Sequence, residues 1–82
     1  MRLDDINAYL DIKTAHDRMA RRAGIPYDEG VYLPTMSDFR EAATVTDSSI
    51  KREPHPDSTT ATFRFWYRGV EFWYMSRSGE VA

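Results

Sequence analysis

Thr60-Ala61-Thr62-Phe63-Arg64-Phe65-Trp66-Tyr67-Arg68-Gly69-Val70-Glu71-Phe72-Trp73-Tyr74-Met75-Ser76 is the stretch whose reading decides the fold. It reads as two strands joined at Arg68-Gly69, where glycine supplies the positive φ of a two-residue hairpin turn. That turn fixes a register: Tyr67 faces Val70, Trp66 faces Glu71, Phe65 faces Phe72, Arg64 faces Trp73, Phe63 faces Tyr74 and Thr62 faces Met75. Alternation then sorts the side chains into two faces. Ala61, Phe63, Phe65, Tyr67, Val70, Phe72 and Tyr74 form the core face. Thr62, Arg64, Trp66, Arg68, Glu71, Trp73 and Met75 form the other. Seven of the eleven aromatic residues lie between Phe63 and Tyr74, so the hairpin supplies most of the large apolar area and the remaining elements must pack on it.

Upstream, residues 4–23 read as a long helix. Asp4, Asn7, Asp11, Thr14, Arg18 and Arg21 or Arg22 recur at helical spacing as a polar row. The rest of the circumference carries Leu3, Ile6, Tyr9, Leu10, Ile12, Ala15, Met19, Ala20 and Ala23, an arc wider than one contact stripe, so two sides of the helix are expected to touch protein. Asp4 suits the N-cap, and Arg18, Arg21 and Arg22 complement the dipole at the other end. Gly24 and Pro26 stop the helix. Residues 24–34 then read as an ordered loop with at most a short extended piece, anchored by Tyr27, Tyr32 and Leu33. Thr35 followed by Asp38 is a variant capping box opening a short second helix through Phe39, Ala42 and Ala43. A strand is expected over residues 44–51, and Glu53-Pro54-His55-Pro56-Asp57-Ser58 is expected to be a linker, because two prolines remove two ladder donors.

The expectation is one α+β domain over residues 1–76: a long N-terminal helix and a short second helix packed on a C-terminal antiparallel hairpin or three-stranded sheet, with residues 77–82 a frayed tail. Eighty-two residues are too few for two cores, and 41% hydrophobic with 29% charged residues is the composition of a folded chain. The absence of cysteine excludes disulfides, thiol nucleophiles and cysteine-ligated zinc. With no apolar run of membrane-spanning length and no signal-like start, the expected location is cytoplasmic.

Catalysis has little to work with. His16 and His55 are the only histidines, no serine sits in a nucleophile elbow, and no glycine-rich phosphate loop is present, so no enzyme, cofactor or small-molecule substrate is expected. Glu53, His55 and Asp57 alternate along a loop, but three candidate ligands without supporting partners do not make a metal site. His55-Pro56-Asp57 is also the tripeptide of J-domain cochaperones; there it joins two helices, and here the flanking segments are β-like.

The second hairpin face is where function is expected. Trp66, Trp73, Met75, Arg64, Arg68 and Glu71 combine the residue types enriched at interface cores, with Arg64 placed for a cation–π contact on Trp73 and Glu71 within reach of either arginine. This predicts a non-enzymatic module that binds another protein or a second copy of itself. Size and composition alone associate such chains with accessory proteins of phages and mobile elements that occupy host proteins. The alternative is nucleic-acid binding, either a single strand stacked on the aromatic and arginine-bearing hairpin or a degenerate helix-turn-helix around residues 19–27, drawing on Arg18, Arg21, Arg22, Arg64 and Arg68. Charge disfavours it: from residue 50 onward Lys51, Arg52, Arg64, Arg68 and Arg77 are opposed by Glu53, Asp57, Glu71 and Glu80.

Overall fold

A computed structural model describes residues 1–56 and 59–77. Its elements run α1 (Leu3–Ala23), β1 (Val31–Tyr32), α2 (Met36–Val45), β2 (Lys51–Pro54), β3 (Ala61–Tyr67) and β4 (Val70–Met75). The strands form one sheet in the order β1-β4-β3-β2, with β1 parallel to β4 and the other pairs antiparallel. The architecture is therefore α+β with a four-stranded mixed sheet.

The hairpin forms in the register that alternation dictates, from Thr62 opposite Met75 to Tyr67 opposite Val70. Arg68 and Gly69 both have positive φ, 53° and 74°, the geometry whose twist matches that of the flanking strands. On the core face Ala61, Phe63, Phe65, Phe72 and Tyr74 are buried, and Tyr67 and Val70 pack at its margin. Phe39 of α2 is fully buried at the centre, with ring centroids 5.2 Å from Phe65, 6.4 Å from Phe63 and 6.3 Å from Tyr74. Ile6 and Leu10 of α1 complete the cluster, and the Tyr67 hydroxyl donates to Asn7 Oδ1 at 2.8 Å.

Three local expectations are corrected. The α1 N-cap is Arg2, without a side-chain cap bond, and Asp4 and Asp5 sit inside the first turn, where they still oppose the positive end of the dipole. α2 is capped as expected, Thr35 Oγ1 accepting from the Asp38 N–H at 3.1 Å, but its helix extends to Val45 and the following strand is displaced to Lys51–Pro54. Glu53 and Pro54 thus belong to a strand and not to a linker. The sheet admits Pro54 because β2 is an edge, where one side of the strand has no ladder to complete. All four β2 residues are exposed, and their charges together with the proline discourage further pairing. Asp57, Ser58 and residues 78–82, including most of the tail expected to fray, lie outside the described residues.

Candidate functional site

Both helices pack on the same side of the sheet, since Ile6, Leu10, Phe39, Ala42 and Ala43 join the cluster of Phe63, Phe65, Phe72 and Tyr74. The molecule's extents of 40 × 29 × 17 Å fit two layers and not three. Among the described residues no helix packs on the other sheet face, where Trp66, Met75 and Tyr32 are each about half exposed, Trp73 and Arg64 are part-buried and Thr62 is buried.

Strand pairing arranges that face in rows. Tyr32, Trp73, Arg64 and Lys51 are successive Cα partners across all four strands; Trp66 stands opposite Glu71 in one neighbouring row, and Glu53, Thr62 and Met75 share the other. Tyr32 lies against Trp73 with ring centroids 4.6 Å apart at 46°. Lys51 Nζ sits 5.6 Å from the Trp66 ring centroid, and Arg64 Nη2 pairs with Glu53 Oε2 at 3.3 Å. Arg64 Nε is buried without a hydrogen-bond partner, so this guanidinium is held between its neighbours and not free to sweep the surface.

Of the six residues expected to share this face, the structure brings together Trp66, Trp73, Met75, Arg64 and Glu71. Arg68 leaves it. Its left-handed turn conformation swings the side chain toward α1, where Nη2 meets Asp11 Oδ1 at 2.7 Å and Nη1 donates to the Asn7 carbonyl at 3.1 Å. The expected Arg64 contact on Trp73 is replaced by the Glu53 pair, with Lys51 on Trp66 as the cation–π contact, and neither arginine is taken up by Glu71. Tyr32, Lys51 and Glu53 are the contributors that the hairpin sequence could not announce, because they arrive on other strands.

At one corner of the face a notch of about 380 Å³ is lined by Glu29, Gly30, Trp66, Gly69, Glu71 and Trp73. A Cβ at Gly30 would stand 3.0 Å from the Glu71 carbonyl oxygen and 3.5 Å from Trp73 Cδ1, so glycine is what lets the loop come this close. Among the described residues neither Glu29 nor Glu71 carries a salt bridge. Two indoles and two carboxylates without a salt bridge among the described residues, Glu29 lying also in the field of Arg21, make a setting for a positively charged group.

The arginines of the nucleic-acid alternative are scattered. Arg21 Nε donates to the Tyr27 hydroxyl at 3.0 Å, which raises the Arg21 pKa further, and Arg18 and Arg22 are exposed at the end of α1, on the helix layer and away from Arg64. No second helix follows Gly24 until Met36; loop and β1 occupy the segment where a recognition helix would begin, which removes the helix-turn-helix reading.

A second depression of about 560 Å³ lies between α1 and β1, but its polar groups are turned on one another. Lys13 Nζ pairs with Asp17 Oδ2 at 2.8 Å and also donates to the Asp28 carbonyl. That hydrogen bond, with a smaller contribution from His16, holds the Asp17 carboxyl below its ordinary pKa against the opposing effect of burial. His55 is a structural clip: Nδ1 and Nε2 lie 2.7 Å from the hydroxyls of Thr60 and Thr62 respectively. Among the described residues no His, Asp and Glu side chains are grouped to hold a metal ion, and no helix is long and apolar enough to cross a membrane. Comparison of the chain with models of protein families, with characterised proteins and with solved structures finds no match.

Proposed function

We propose that this protein is a non-catalytic binding module that docks on another protein through the open face of its sheet, with a lysine or arginine side chain of that protein entering the notch between Trp66 and Trp73. One observation carries the reading: a sheet face over which no helix packs among the described residues displays Tyr32, Trp66 and Met75 about half exposed, with Trp73 partly exposed between them, the aromatic and methionine side chains that concentrate at interface cores. Its neighbours are already ordered by the Tyr32 contact and the Arg64–Glu53 pair, which lowers the entropy cost of docking. Charge selects the kind of partner. Lys51 and Arg64 on this face are balanced by Glu53 and Glu71, so it lacks the unopposed cations that tracking a phosphate backbone requires, while the notch is edged by carboxylates. We propose the cytoplasm as the place where the protein acts.

The test uses the two indoles as reporters, since both tryptophans of the chain lie on this face. A short uncharged peptide carrying one central arginine, titrated against the labelled protein, is expected to shift the Trp66 and Trp73 indole N–H resonances. Glu71→Gln should abolish the response while leaving the melting transition in place, and Trp73→Ser should abolish it in a chain that melts at lower temperature but still folds cooperatively. A thymidine oligonucleotide at low salt should leave both resonances unmoved. Binding of the oligonucleotide, or a Trp73→Ser chain that no longer folds, would overturn the reading in favour of a nucleic-acid platform or a purely structural tryptophan.

A further inference from the structure

The outer side of α1 is unexplained by the open sheet. Ile6, Leu10 and Ala20 are the buried residues of this 21-residue helix. On the opposite side Ala8, Ile12, Ala15 and Met19 are exposed, Ile12 at 72% and Met19 at 64%. Their spacing of four, three and four residues is that of a coiled-coil seam, with Asp5 and Arg22 continuing it at either end.

From this pattern we infer that α1 is a self-association seam, pairing antiparallel with α1 of a second copy about a two-fold axis that crosses the helix between Lys13 and Thr14. The sequence is self-complementary about that point. Ile12 meets Ala15 of the second copy, Ala8 meets Met19, and Asp5 meets Arg22, and each pairing occurs twice, as a two-fold interface requires. Large faces small at every apolar step, so the seam interdigitates without a void. Charge closes it at both ends, and along one flank Arg18 of the other copy comes beside Asp11, which within its own chain already pairs with Arg68. A parallel pair would instead set Asp5 against Asp5 and Arg22 against Arg22. The antiparallel arrangement also opposes the two helix dipoles favourably. The overlap from Asp5 to Arg22 is about 26 Å long at 1.5 Å per residue, a contact at the small end of specific interfaces, so the dimer is a weak and reversible one.

Sedimentation equilibrium of the full chain across a wide concentration range should show a monomer–dimer equilibrium. Ile12→Glu, at a solvent-facing position that cannot disturb the core, should raise the dissociation constant at least about tenfold with unchanged helix content. Asp5→Arg should weaken association and Asp5→Arg combined with Arg22→Asp should restore it. Direction is read separately: an equimolar mixture of Ala8→Cys and Met19→Cys chains, oxidised in air, should give the mixed disulfide in preference to either symmetric one. A chain that stays monomeric at sub-millimolar concentration overturns the seam. So do symmetric disulfides in excess, or a dimer lost in Trp66→Thr and intact in Ile12→Glu. None of these outcomes depends on whether the sheet face binds the arginine peptide.

Discussion

Phe39 is the residue on which the two layers converge: it is fully buried and meets three aromatic rings of the sheet. Phe39→Ala removes that contact and leaves a cavity, and is expected to cost about 3–5 kcal/mol, a large part of the stability of a small domain. Phe39→Leu should cost markedly less; urea titration of both variants checks the ratio. Asp17 offers a pH-dependent counterpart. Its pKa is lowered in the folded protein, so the Lys13 contact stabilises the fold above the ordinary carboxylate range and that contribution is lost as pH falls through the lowered pKa. Lys13→Met should move the Asp17 titration back toward the ordinary value, read by NMR of the side-chain carboxyl. At this scale much was legible. Thr35 announced its cap and the hairpin its inward aromatics, whereas Arg68 was misplaced because strand alternation ends where the backbone turns left-handed.

Among the elements, the hairpin was readable because its signal is local: a glycine turn fixes the register, and a period of two fixes the faces. α1 and α2 were readable for the same reason, through periodicity and stop signals. What escaped were pairings between distant segments. β1 is two residues long and lies parallel to β4 through a non-local contact, and β2 contains a proline that a central strand would refuse. The candidate site inherits this division. Trp66, Trp73, Met75, Arg64 and Glu71 follow from hairpin alternation, while Tyr32, Lys51 and Glu29 come from segments whose place beside it depends on the tertiary fold. The α2 cap gives a prediction of its own. Thr35→Ala withdraws the acceptor from the Asp38 N–H and should lower stability by about 1 kcal/mol without altering the sheet, seen as a shifted denaturation midpoint at constant slope.

For the whole molecule, among the described residues, the two-layer build leaves two surfaces without a packed element on opposite sides: the outer sheet face and the outer side of α1. One small core serves both, so each can be altered without the other if the core holds. Amide exchange can separate them. The amides of Phe63, Phe65, Phe72 and Tyr74, paired within the central strands and buried beneath the helices, should exchange only on global unfolding, and the edge residues of β1 and β2 should exchange sooner. α1 is held to the sheet chiefly by Ile6, Leu10, Asn7 and Asp11, all in its first half, with Lys13 tying its middle to the loop, while the buried Ala20 and the Arg21–Tyr27 hydrogen bond are the fewer ties of its second half. Its second half should therefore be the less protected in dilute solution. If α1 pairs with a second copy, protection of residues 14–22 rises with protein concentration while that of β3 and β4 in the monomer's core changes far less, and Ile12→Glu removes the dependence. Protection of α1 that is identical at low and high concentration would mean that the helix is stabilised within the single chain alone.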